Sequence, residues 1–172
     1  MGTLVLGIGN LLLRDEGVGV HAARALQREQ VPSDITTLEV GTAFLDALPD
    51  IGKAHRIIIV DAMKAGHAPG TIYRVPFGEC VKPQMIASLH GFDLSRVIFL
   101  AGNTMPPEVI VIGVEPARIE WGTDLSPEIQ NIIPIVVDAI KAEIAGGTFG
   151  CAVTSTSEVA RAGERPCLER RA

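Results

Sequence analysis

Two apolar patterns alternate along this chain. Short, continuous runs rich in β-branched residues mark strands at residues 3–6, 35–39, 55–60, 71–75 and 109–114. Ile57-Ile58-Ile59-Val60 and the 109–114 run are apolar on both faces, which suits the buried centre of a parallel sheet. Pro76 follows the fourth run and cannot donate to a ladder, so that strand is expected to be antiparallel or at an edge. Between the runs, apolar residues recur every three or four positions. Val18, Ala22, Ala25 and Leu26 predict a helix over 17–30, with His21 off the stripe and facing solvent. A short helix starts at Gly41-Thr42 and stops at Pro49, and a helical turn covers 84–89. Leu94, Val97, Ile98 and Ala101 give a helix over 93–101 its buried face, ended by Gly102. The last helix, 128–144, buries Ile132, Ile133, Val136, Val137, Ile140 and Ile144. Its N-cap is Asp124 or Ser126 with Pro127 first, and Pro134 kinks or divides it.

Strands alternating with helices give an α/β fold, a three-layer α/β/α sandwich with a mostly parallel, about five-stranded twisted sheet. It forms one domain over residues 1–145. Residues 146–172, without periodicity, read as a disordered tail.

Composition narrows the function. A chain of 172 residues with 47% hydrophobic content and mean hydropathy +0.31 builds a core over most of its length. No apolar run reaches the ~18 residues of a membrane helix, and no basic region precedes an apolar leader, so a cytoplasmic protein without a membrane partner is expected. The net charge of −5 and the lack of a basic block before the C-terminus argue against nucleic acid as a partner. Cys80, Cys151 and Cys167 are widely spaced, with no Cys-x-x-Cys, so they form neither a disulfide framework nor a thiolate metal site. Cys80 reads as a structural or surface thiol rather than a nucleophile.

The first strand runs into Gly7-Ile8-Gly9-Asn10, and the crevice outside the carboxyl end of such a strand is where open α/β sheets bind ligands. A dinucleotide fingerprint needs a third glycine, but Leu12 stands there and Leu11–Leu13 bar close backbone approach. The turn carries acid instead. Asp15 is expected to be the N-cap of the next helix, and Glu16 a first-turn carboxylate favoured by the helix dipole. Asp61 ends the most buried strand, where it either caps a turn or does chemistry. His90 stands before Gly91, in a loop leading into a helix, whereas His67 reads as a surface loop residue. Glu16, Asp61 and His90 thus fall on one rim of the sheet. Two carboxylates and an imidazole suit nickel or zinc and leave coordination positions open.

The segments GIGNLLLRDEGVGV, IIIVDAMKAG and SLHGFDL, with the later VIVIGVEP, resemble the maturation endopeptidases of [NiFe] hydrogenases over residues 3–144. The resemblance implies an endopeptidase that removes the C-terminal peptide of the hydrogenase large-subunit precursor after nickel insertion. It implies metal contact by Glu16, Asp61 and His90, with nickel carried by the precursor as the recognition feature. The expected partner is that precursor, and the protein itself is expected to be a monomer. No serine or cysteine nucleophile is implied, and neither Glu16 nor Asp61 is singled out as base. Each of the three is expected to lie outside the packed core, so that substitution spares the fold.

One departure stands out. Where the family often shows Asp-Gly-Gly-Thr, this chain has Glu39-Val40-Gly41-Thr42, which questions substrate contact there, since Val40 lacks a glycine's access to positive φ. Three rivals remain. A non-catalytic nickel-checkpoint module would bind the same precursor without cutting it. A peptidyl-tRNA hydrolase opens similarly, but needs a His-Asn pair and a basic face. A nucleotide-binding regulator needs the phosphate loop that Leu11–Leu13 disfavour.

Overall fold

In the computed structural model of this chain, residues 2–77 and 108–147 are described. Five strands form one sheet: β1 (Thr3–Ile8), β2 (Ile35–Gly41), β3 (Arg56–Ala62), β4 (Ile72–Pro76) and β5 (Glu108–Val114). Their order is β2-β1-β3-β5-β4. β1 pairs parallel with β2 and β3, β3 pairs parallel with β5, and β4 closes the edge antiparallel to β5. Pro76 therefore sits on an edge strand, as expected from its missing N–H. β1 and β3 run two residues further than their apolar runs, so Gly7 and Asp61 are inside strands.

Alternation of side chains gives the sheet two apolar faces. Leu4, Leu6, Ile57, Ile59, Val109 and Val111 pack on one, with Phe44, Ala47 and Ile51 above them. Val5, Ile58, Val60, Ile112 and Val114 pack on the other, beneath α1 (Val18–Leu26) and the long C-terminal helix α3 (Pro127–Ile144). Helical segments thus cover both faces, the three-layer arrangement expected. α1 approaches the sheet closely because Gly19 has no side chain: a Cβ there would stand 2.0 Å from the Val60 carbonyl oxygen.

Several boundaries differ from the sequence reading. The first helix is shorter than 17–30: a 3-10 helix, Arg14–Gly17, precedes α1, which ends at Leu26, the last of its buried residues. His21 is half-buried rather than solvent-facing. Pro49 does not stop a helix. A 3-10 helix, Phe44–Ala47, leads into the one-turn α2 (Leu48–Ile51), and Pro49 sits in its first turn, where no N–H is needed. Pro134 does not divide α3. Both Pro134 and Gln130, whose carbonyl the ring deprives of an N–H, lie on the exposed side. Ser126 is the N-cap and Pro127 the first residue, as one of the two alternatives held. The expected turn at 84–89, the helix at 93–101, the three cysteines and the tail from residue 148 lie outside the described residues.

Candidate active site

The connection from β1 to β2 leaves on one side of β1 and the connection from β2 to β3 returns on the other. The crevice at the carboxyl ends of β1 and β3 is thus the switch point of this sheet, the place where such folds bind ligands. Glu16 follows β1 and Asp61 is the penultimate residue of β3, and the 3-10 helix carrying Glu16 packs against β3. The structure therefore brings Glu16 and Asp61 to one crevice. His90 lies outside the described residues, and among those described no group of three His, Cys, Asp or Glu side chains has metal-holding geometry.

Both acids are more deeply placed than expected. Glu16 is 8% exposed and Asp61 is fully buried. The expectation that they lie outside the packed core is corrected: strand β3 continues through Asp61, which makes it a buried strand residue rather than a loop residue. Asp61 Oδ1 accepts the N–H of Ala62 at 2.8 Å. Asn10 shapes the preceding turn, its Oδ1 accepting the Leu12 N–H at 3.0 Å while its carbonyl accepts from Leu13. Gly9, at φ +127°, leaves room that no side chain can share: a Cβ would lie 1.8 Å from the Glu16 carbonyl oxygen.

Asp15 does not cap its own helix. The N-cap of α1 is Gly17, with no side-chain cap bond. Asp15 is instead fully buried and turned toward the connection between β5 and α3. Its Oδ2 accepts from the N–H groups of Ala117 (3.0 Å) and Arg118 (2.7 Å) and from the Ser126 hydroxyl (2.7 Å). Its Oδ1 accepts from the Ser126 N–H at 2.7 Å. Local sequence hides this, because the partners are more than a hundred residues away.

Glu115, one residue beyond β5, is a buried acid that the sequence reading treated only as a strand stop. It accepts the N–H groups of Ala65 (2.8 Å) and Gly66 (3.3 Å) and the Tyr73 hydroxyl, fastening the loop that follows Asp61. The strand-end position that marked Asp61 marks Glu115 equally. Burial, then the bond to Glu115, raises the Tyr73 hydroxyl's pKa. His67 is not a free surface residue: its Nδ1 lies 3.2 Å from the same hydroxyl. Burial holds His21 below its ordinary pKa, aided by Arg24 and opposed by Asp124 and Glu39.

At the divergent turn, Glu39 pairs with Arg24 at 2.6 Å and Val40 is buried beside Phe44. Among the described residues only Arg14 has positive φ without being glycine, so Val40 needs no such conformation; Gly41, at φ +58°, supplies it one residue later.

Comparison with known proteins fits this geometry. Residues 20–149 match the family model described as HycI, hydrogenase maturation protease. The hydrogenase expression/formation protein HupD of Thiocapsa roseopersicina is 37% identical over 147 residues, 80% of this chain and 66% of that protein. The hydrogenase 2 maturation protease of Escherichia coli K12 is 31% identical over 153 residues, 84% of this chain and 91% of its own length. Among solved structures, the hydrogenase maturating endopeptidase HybD from E. coli superposes with a TM-score of 0.74 at 28% identity, covering 85% of this chain and 93% of that one. The fold is thus shared with a solved hydrogenase maturating endopeptidase, and the chain belongs to the hydrogenase maturation protease family.

Proposed function

We propose that this protein is the endopeptidase that removes the C-terminal peptide of a [NiFe] hydrogenase large-subunit precursor once nickel is in place. The observation that carries this reading is the pair of buried acids, Glu16 and Asp61, at the β1–β3 switch point of a chain from this family. Oxygen and nitrogen donors suit nickel, so Glu16, Asp61 and His90 are assigned as contacts to the nickel that the precursor carries. Those contacts hold the neighbouring peptide in the crevice, which lowers the barrier by proximity. The precursor's metal serves as a Lewis acid beside the scissile bond. A metal-free precursor lacks the group that these side chains recognise and is left uncut. The protein acts as a monomer in the cytoplasm on this reading.

Glu16→Gln, Asp61→Asn and His90→Gln test the assignment, because each keeps size and removes a charge or an imidazole. Each is expected to abolish processing of the nickel-loaded precursor at temperatures where circular dichroism shows the variant to be folded. A variant that processes at the parent rate removes its residue from the site.

A further inference from the structure

We propose that Asp15 is a positioning residue for the reaction, fixing the 3-10 helix that carries Glu16 by locking it to residues 117–126. The inference rests on the assignment of Glu16 to the site. Among the described residues, the Asp15 carboxylate accepts four hydrogen bonds, all from residues 117–126 and none from its own helix. Three of the donors are backbone N–H groups, which cannot reverse their role. Only a group with two acceptor oxygens satisfies them: an asparagine turns its NH2 toward at least one backbone N–H whichever way it faces.

The same two segments are stitched on both flanks. Arg14 N–H donates to the Gly122 carbonyl at 2.9 Å, Gly122 N–H to the Leu12 carbonyl at 3.0 Å, and Asp15 N–H to the Arg118 carbonyl at 3.3 Å. Arg14 also pairs with Glu120 at 3.2 Å. Glu16 is then held from two sides. Its N–H donates to the Leu13 carbonyl at 3.2 Å, and its own carbonyl rests against Gly9. With Glu16 one peptide unit from the buried carboxylate, loosening Asp15 displaces Glu16 toward or away from Asp61. A helix cap would need one acceptor bond; four, reaching across more than a hundred residues, serve to fix a place.

The chain's single tryptophan, Trp121, lies in the locked segment and is 78% exposed, so its fluorescence reports on that segment directly. The test compares the full-length parent, Asp15→Asn and Ser126→Ala. It reads Trp121 anisotropy, thermal melting, and kcat and KM for the nickel-loaded precursor. Asp15→Asn is expected to lower Trp121 anisotropy and to cut kcat about a hundredfold, the cost of roughly 1 Å of misplacement, at temperatures where it is fully folded. KM should stay within a small factor of the parent, since Asp15 does not touch the precursor. Ser126→Ala, which removes one of the four bonds, should shift both readouts in the same direction by less, and it carries the test if Asp15→Asn does not fold. Unchanged anisotropy in these variants overturns the lock. Lower anisotropy with a parent-like kcat overturns the positioning role. A parent protein that does not cut the precursor refutes the functional reading on which positioning rests, while the anisotropy comparison still decides whether Asp15 holds the segment.

Discussion

Gly9→Ala separates the backbone's contribution to the site from ordinary stability. The glycine stands at φ +127°, and an alanine Cβ would lie 1.8 Å from the Glu16 carbonyl oxygen and 2.9 Å from its carbon. Contacts between non-bonded atoms settle near 3.5 Å, so relief requires the Glu16 turn to move by more than about 1 Å. The backbone strain costs about 1–3 kcal/mol. Overpacking adds about 1–3 kcal/mol. Together these lower the melting temperature by about 4–24 °C at roughly 2–4 °C per kcal/mol for a chain of this size. Gly66 supplies the control: it has φ +83° and nothing within 4 Å of an added Cβ, so Gly66→Ala carries the strain without the collision. Differential scanning fluorimetry of both variants, with precursor processing followed by mass, gives the comparison. Gly9→Ala should melt well below Gly66→Ala and lose about a hundredfold in processing through displacement of Glu16. A Gly9→Ala protein that melts with Gly66→Ala and processes at the parent rate refutes the packing of that glycine against Glu16.

Glu143→Ala leaves the part-buried guanidinium groups of Arg56 and Arg74 without the carboxylate that now pairs with both. It should destabilise by about 3 kcal/mol, the lower end for breaking a buried pair because both arginines reach some solvent, as measured by urea unfolding. Arg56 opens β3, at the end of that strand opposite Asp61, so processing per folded molecule should be unchanged. His21 gives a pH signature. Burial holds its pKa below the ordinary 6.5, so the unfolded chain takes up its proton first as pH falls. Native stability should therefore decline below about pH 6.5 and level off beneath the depressed folded value. A His21→Gln variant should remove that component from the pH dependence of its melting temperature. An undiminished acid slope in that variant assigns it to other groups.

The sheet was legible because its strands are short runs rich in β-branched residues, and Ile57–Val60, apolar on both faces, suits a buried centre. The edge position of β4 followed from Pro76 alone. The crevice was legible too, since Glu16 comes after the first strong apolar run and Asp61 directly after another. What local sequence could not supply was depth and distant partnership. Asp15 has every attribute of an N-cap, yet its four donors come from residues 117–126, and no pattern near residue 15 announces them. Glu115 was passed over because a proline beside it already explained the end of β5. Pro134 was expected to kink or divide a helix that in fact runs through it; propensity near that residue does not register that Pro134 and Gln130, whose carbonyl it deprives of an N–H, both lie on the exposed side. His21 lies off the apolar stripe, and α1 nevertheless packs it halfway into the protein.

The central claim is that nickel in the precursor licenses cleavage at this crevice. The most direct measurement is the intact mass of the cognate large-subunit precursor after incubation with this protein, with and without nickel loaded. The account predicts loss of a C-terminal peptide in the nickel-loaded sample only. Equal cleavage of both samples contradicts nickel recognition. A stable complex with the nickel-loaded precursor and no change of mass contradicts catalysis and identifies a checkpoint protein instead.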